Sequence, residues 1–397
     1  MNDLLEAGAI RAQAEVQTGI RDADPATLAG HLEALCGALR EDAPLPPREA
    51  ERIHRYLVAR TADRLEAQRW LAEYPEIAAV ALDAPVFLTG LPRSGTTFFQ
   101  YLFDRDSRFR LVRTWQALAP HPPPGFDPAS VAHRKAEEAA RRAAARPEVP
   151  GFAAMHLVDP DGPEECHAFL EQAYGAVGFH NLFDVPSYFA FLRTALDFAT
   201  VYRVHARQLR LLAWRRPAKR FALKYPGHLV AMPEILAVHP SARFVMTHRD
   251  PVQVLGSLCK LTAALRAARY GAVDPRRVGR QMLEFLRFHV DRILAFDRTP
   301  AHRRVIHVDY YALLADPAAT LSEVLAALDL DAPPEVRAAV AEWARANPPG
   351  ARGVNPYRLE DYGLHPEEVA ERFSDYRERF AIPREAEGLA RSRSLRR

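Results

Sequence analysis

The residues best suited to chemistry in this chain are densest between Gly90 and Thr97, in the segment Gly-Leu-Pro-Arg-Ser-Gly-Thr-Thr. Gly90 and Gly95 frame Pro92, Arg93 and Ser94, and Thr96 and Thr97 follow directly. An apolar run precedes the segment and a second one, beginning Phe98-Phe99, follows it. A strand that turns into a helix at such a place aims consecutive backbone N–H groups and a helix N-terminus at one point, which suits an anion. Arg93 and the hydroxyls of Ser94, Thr96 and Thr97 add charge and further donors. The spacing fits the first part of the triphosphate-binding pattern G-x-x-x-x-G-K-[ST], but Thr96 stands where that pattern needs its lysine. With no aspartate suited to magnesium at the end of the next apolar run, hydrolysis of ATP or GTP is not expected.

The elements around this loop read as follows. Pro85–Gly90 is a short apolar run ending in glycine, the pattern of a buried parallel strand. Further strands are expected within residues 219–226, 242–251 and 302–317, the last two followed by helical patterns. Strands alternating with helices predict an α/β fold of three layers, a central parallel sheet covered by helices on both faces. Residues 1–83 carry helical periodicity punctuated by prolines and no strand signal, and form a helical N-terminal extension. It is read as a cap or arm, packing on the main domain or on a partner, covering a pocket or building a homodimer interface. Residues 84–397 form the main domain, including a C-terminal loop and helix over 349–382. The charged stretch 133–146 reads as a solvated surface helix inside an insertion.

The totals bound the function classes. A chain of 397 residues, 48% hydrophobic and 26% charged, has the composition of a globular protein. A net charge of +3 gives no argument for a nucleic-acid partner but leaves room for a local basic pocket. Cys36, Cys166 and Cys259 are far apart, with no metal-ligand spacing, so a reducing, cytoplasmic setting without disulfides is expected. The N-terminus has no signal-peptide pattern and no run is apolar enough for a membrane span.

The segment Thr89–Phe98 resembles the 5′-phosphosulfate loop of sulfotransferases that use 3′-phosphoadenosine 5′-phosphosulfate (PAPS). Other residues extend the resemblance over about residues 84–330. Arg249 ends a strand pattern and Ser257 lies about two turns into the next helix, similar to the family's 3′-phosphate motif. A guanidinium forks onto phosphate oxygens and a serine hydroxyl adds a donor. Lys224, one of four lysines in the chain, resembles the family lysine that contacts the donor's bridging and sulfuryl oxygens. Tyr310 resembles a tyrosine near the adenine, although Tyr310 or Tyr311 could equally pack the core. Arg352 and Gly353 resemble a C-terminal 3′-phosphate element.

The resemblance implies in-line sulfuryl transfer from PAPS to a hydroxyl or amine, with Arg93 and Lys224 stabilising charge and no metal. The histidine that follows the lysine by two residues in many cytosolic relatives is here Pro226. Bacterial and tyrosylprotein relatives instead place a glutamate base earlier in the chain, and Glu165 is the expected base, with Glu164, His167 and His228 as alternatives. The aromatic residues Phe179, Phe183, Tyr188, Phe189 and Phe191 suit an apolar small-molecule or lipid acceptor; core packing explains them equally well. Two rival readings remain. One is a nucleotide phosphotransferase or NTPase, against which the missing lysine speaks. The other is a nucleotide-binding homologue without catalysis, against which Arg93, Lys224, Arg249 and Ser257 speak together.

Overall fold

The structure is a computed structural model and describes residues 2–42, 45–127, 130–131, 134–135, 159, 161–348 and 356–395. Most of the charged segment 133–146 lies outside the described residues, and so do Arg352 and Gly353.

Five strands form one parallel sheet among the described residues: β1 (Val86–Gly90), β2 (Phe109–Arg110), β3 (Arg220–Lys224), β4 (Arg243–His248) and β5 (Val305–Asp309). Their order is β2-β3-β1-β4-β5. The two-residue β2 is too short to leave a period in the sequence; the other four fall where the apolar runs predict them.

Alternation of side chains along each strand builds two cores. Val86 and Leu88 of β1, Ala222 of β3 and Val245 of β4 point to one face. Phe87, Phe221, Leu223, Phe244 and Met246 point to the other. The first face is covered by α4 (Thr96–Phe103) and, after the short α9 (Tyr310–Ala315), by α10 (Pro317–Ala327), through Phe99, Leu102, Phe103, Leu321 and Val324. The second is covered by α6 (Phe198–Ala213), α7 (Pro251–Tyr270) and α8 (Pro275–Asp297), through residues such as Val201, Leu255 and Leu286. The result is the three-layer arrangement, with β1 buried along its whole length.

The N-terminal helices α1 (Ala7–Thr18), α2 (Pro25–Glu41) and α3 (Pro47–Glu73) pack on this body. Leu32, Leu57 and Leu65 share the hydrophobic cluster of Phe169 and Tyr188. His31 Nδ1 lies 3.1 Å from the Ala173 carbonyl, and the Thr61 and Tyr174 hydroxyls are 2.6 Å apart.

This covering bears on the two readings of the aromatic run: Phe179, Phe183, Tyr188 and Phe189 are buried, with Phe191 against the same cluster. Phe189 stacks on His180 at 4.5 Å, Tyr188 donates to the Tyr174 carbonyl at 2.6 Å, and Phe191 meets His31 of α2 edge-on. The aromatic run is rich because it must fill the space beneath the N-terminal helices.

Candidate active site

The sheet order places β1 between β3 and β4, two strands that follow it in sequence, so the connections diverge at its carboxyl end. In parallel sheets ligands bind at such a switch point. The predicted loop lies there, leading from β1 into α4. Arg93 (φ +71°) and Gly95 (φ +89°) both take left-handed backbone conformations. At Gly95 a Cβ atom would fall 2.9 Å from the Tyr310 ring, so the loop needs glycine both for its turn and for that close approach. Ser94 serves the loop from within. Its hydroxyl donates to the Leu91 carbonyl at 2.6 Å and lies 2.7 Å from Thr247 Oγ1 of β4. The anion-facing groups are left to the opening of α4, at Thr96 and Thr97, whose N-terminal N–H groups lack helical partners.

At the end of β3, Lys224 is buried, its side chain only 1% exposed. Its Nζ donates to Thr97 Oγ1 at 2.9 Å and pairs with Glu165 Oε1. A buried ammonium needs both charge compensation and hydrogen bonds, and these two partners supply them. Glu165 reaches the lysine because its segment is strapped to the sheet. The Glu164 N–H donates to Val112 O at 2.8 Å, and the Cys166 N–H to Lys224 O at 2.9 Å. Gln100 of α4 donates to the Glu164 carbonyl at 2.9 Å.

The four base candidates separate here. The Glu164 carboxylate accepts the Glu165 N–H at 2.9 Å and the Thr114 hydroxyl at 3.4 Å, which occupies it in holding the segment. Glu165 alone joins Lys224. His167 opens the short helix α5 (His167–Glu171), with Nδ1 3.9 Å from Glu165 Oε2. His228 is fully buried beneath the sheet, edge-on to Phe87 at 4.9 Å and 2.7 Å from the Tyr202 hydroxyl. Burial, then the neighbouring His205 and Lys224, holds its pKa well below the ordinary histidine value.

At the end of β4 a second basic cluster forms. Asp250 caps α7 by accepting the Val252 N–H at 3.0 Å, an interaction worth about 1 kcal/mol. This capped turn fixes Arg249 just before the helix and Ser257 on its buried face. Arg93 reaches over from the loop and donates through Nε to Ser257 Oγ at 3.1 Å. Arg249 donates through Nη1 to the Arg93 carbonyl at 3.0 Å, and its guanidinium lies 4.5 Å from the Tyr310 ring centroid. Burial, then the nearby Arg249 charge, pulls the Arg93 pKa below its ordinary value. Burial also acts against Arg249, but its hydrogen bond and charge pairing with Glu385, together with the nearby Tyr310 and Tyr357, outweigh it and the pKa rises. Two guanidinium groups gathered with a serine hydroxyl suit an anion.

The structure resolves the tyrosine pair. Tyr310 faces the loop and Arg249, whereas Tyr311 is buried and donates to Glu385 at 2.7 Å. Three neighbours of the site escape sequence reasoning. Thr247, two residues before Arg249, is legible in retrospect from strand alternation. Tyr357 packs on Gly256, with its ring 2.4 Å from where a Cβ would stand, and donates to the Gln253 carbonyl at 3.0 Å. Glu385 comes from α11 (Glu385–Leu395), 136 residues beyond Arg249, and nothing local marks it. Among the described residues no group of three or more His, Cys, Asp and Glu could hold a metal ion, and no helix is long and apolar enough to cross a membrane.

A loop suited to an anion thus lies at the switch point of a parallel sheet, with a lysine supplied by the neighbouring strand. The chain belongs to the sulfotransferase family, whose profile matches residues 85–334. The structure is similar to the crystal structure of sulfotransferase STF9 from Mycobacterium avium, with 26% identity, a TM-score of 0.85, and 96% of this chain and 97% of that one covered. It is also similar to sulfotransferase STF1 from Mycobacterium tuberculosis, with 27% identity and a TM-score of 0.81, covering 94% of this chain and 100% of that one. No curated protein matches the chain significantly in sequence.

Proposed function

We propose that the protein transfers the sulfuryl group of PAPS to a hydroxyl or amine acceptor, with Glu165 as the base. The observation that carries this reading is the contact of Lys224, from β3, with both Thr97 of the loop and the Glu165 carboxylate. One ammonium thus joins the residues proposed for the donor to the residue proposed for the acceptor. Thr96, Thr97 and the N-terminus of α4 would hold the 5′-phosphosulfate, with Pro92, Ser94 and Gly95 setting the loop's shape. Arg249, Ser257 and Arg93 would hold the 3′-phosphate, and Tyr310 would lie beside the nucleoside. Arg352 and Gly353 belong to the proposal on the sequence resemblance.

PAPS supplies an activated sulfuryl group. The acceptor oxygen or nitrogen forms a bond to sulfur as the bond from sulfur to the 5′-phosphate oxygen breaks. Glu165 takes the acceptor's proton. Lys224 and Arg93 offset the negative charge that gathers on the leaving oxygen, in a pocket where burial strengthens each interaction. The three cysteines are buried thiols, which supports a reducing, cytoplasmic setting.

Transfer of labelled sulfate from PAPS to a panel of phenols, sterols and lipid alcohols tests the reading. The native protein is expected to label an acceptor. Glu165→Gln is expected to lose about 10²- to 10⁴-fold in turnover, the range for removing a general base, while adenosine 3′,5′-bisphosphate binds as before. Unchanged turnover in that variant removes Glu165 from the base role. Magnesium-dependent ATP hydrolysis by the native protein would favour the phosphotransferase reading.

A further inference from the structure

We infer that Glu385, on the C-terminal helix α11, positions Arg249 for the 3′-phosphate, making that helix part of the donor site. The inference rests on the donor-site reading above and concerns a residue beyond the stretch 85–334 that the family profile matches.

The pair is bidentate. Arg249 Nε donates to Glu385 Oε2 at 3.1 Å, and Nη2 donates to Oε1 at 2.6 Å. Both side chains are largely buried, at 17% and 15% exposure. A guanidinium carries five N–H donors in a fixed plane. Two go to Glu385 and one to the Arg93 carbonyl, which leaves two N–H groups uncommitted among the described residues. The carboxylate therefore fixes the plane of the fork over Tyr310 without consuming it.

Glu385 is itself held on several sides. Oε2 accepts the Tyr311 hydroxyl at 2.7 Å, and the Glu385 backbone N–H donates to Asp250 Oδ2 at 2.9 Å. Asp250 is the residue after Arg249 and caps α7 through its other oxygen. Arg249, Glu385, Tyr311 and Asp250 thus close a ring joining the ends of β4 and β5 to the start of α11. At Gly388 the helix lies so close to Tyr311 that a Cβ would stand 2.5 Å from its ring. A carboxylate fixed this firmly acts as a support behind the arginine; a stand-in for phosphate would have to move aside.

Calorimetric titration of the full chain with adenosine 3′,5′-bisphosphate and with adenosine 5′-monophosphate tests this. Glu385→Gln is expected to weaken bisphosphate binding roughly tenfold, the scale of one charge-assisted hydrogen bond, and to leave monophosphate binding unchanged. The ratio of the two affinities is the readout, because general loosening of the fold weakens both nucleotides alike. Tyr311→Phe, which keeps the ion pair but removes one anchor of Glu385, is expected to shift the ratio in the same direction by less. Tighter bisphosphate binding in Glu385→Gln would show the carboxylate competing with phosphate, and an unchanged ratio would show that Arg249 needs no support; either overturns the inference alone. If Arg249→Ala binds the bisphosphate as the native chain does, the donor-site reading fails and this inference with it.

Discussion

The strands flanking β1 end in the same kind of pair, and the two pairs are built differently. At the end of β3 Lys224 meets Glu165; at the end of β4 Arg249 meets Glu385. The ammonium is a compact charge on a flexible stem, shared between a carboxylate and the Thr97 hydroxyl. The guanidinium is a planar fork, fixed by a two-bond pair and stacked beside Tyr310. Charge that develops and moves during a reaction is best met by the first; a phosphate group that stays put is best met by the second. The carboxylates differ in parallel. Glu165 lies on a strapped segment beside His167, whereas Glu385 is locked into a ring by Tyr311 and Asp250.

Changes at the two pairs should therefore divide between turnover and binding. Between the two cations the larger effect is expected from Lys224→Ala, which should reduce turnover by roughly 10²- to 10³-fold, the scale of losing one preorganised electrostatic donor, with a smaller change in bisphosphate affinity. Steady-state rates beside calorimetry measure the split, and an equal loss in both would erase the contrast. Arg249→Lys comes next. It keeps the charge but not the fork, and should weaken the bisphosphate by about tenfold, as expected when a bidentate pair is lost, with turnover at saturating donor nearly unchanged. A turnover loss as large as that of Lys224→Ala would give both cations one role. The smallest effect on chemistry is expected from His228→Phe. The ring is buried against Phe87 and Tyr202, so melting temperature should fall, through the lost contact with Tyr202, while the saturated rate holds. A rate loss matching that of Glu165→Gln would restore His228 as a base candidate.

Legibility in the sequence followed the length scale of each signal. The loop, Lys224, Arg249 and Ser257 are local patterns set by strand ends and helix starts, and the structure brings all of them to one edge of the sheet. Four strands carried apolar runs long enough to read, while Phe109–Arg110 did not. Glu165 is the expected base from the sequence, with Glu164 beside it as an alternative, and the strapping of that segment to Val112 and Lys224 sets their different contacts. The aromatic run between Phe179 and Phe191 has one composition whether it lines a pocket or fills a core, and its burial beside the N-terminal helices becomes visible only in the structure. Glu385 was illegible for a different reason: its role exists only because the chain's last helix returns to β4.

The central claim is that the loop after β1 holds a phosphosulfate donor and not a nucleoside triphosphate. Titration of the native chain with adenosine 3′,5′-bisphosphate, in parallel with ATP and magnesium, addresses it most directly. The account predicts saturable binding of the bisphosphate that is lost in Arg249→Ala and retained in Glu165→Gln, with ATP binding far more weakly. Tight, magnesium-dependent ATP binding, with no response to the bisphosphate, would contradict it.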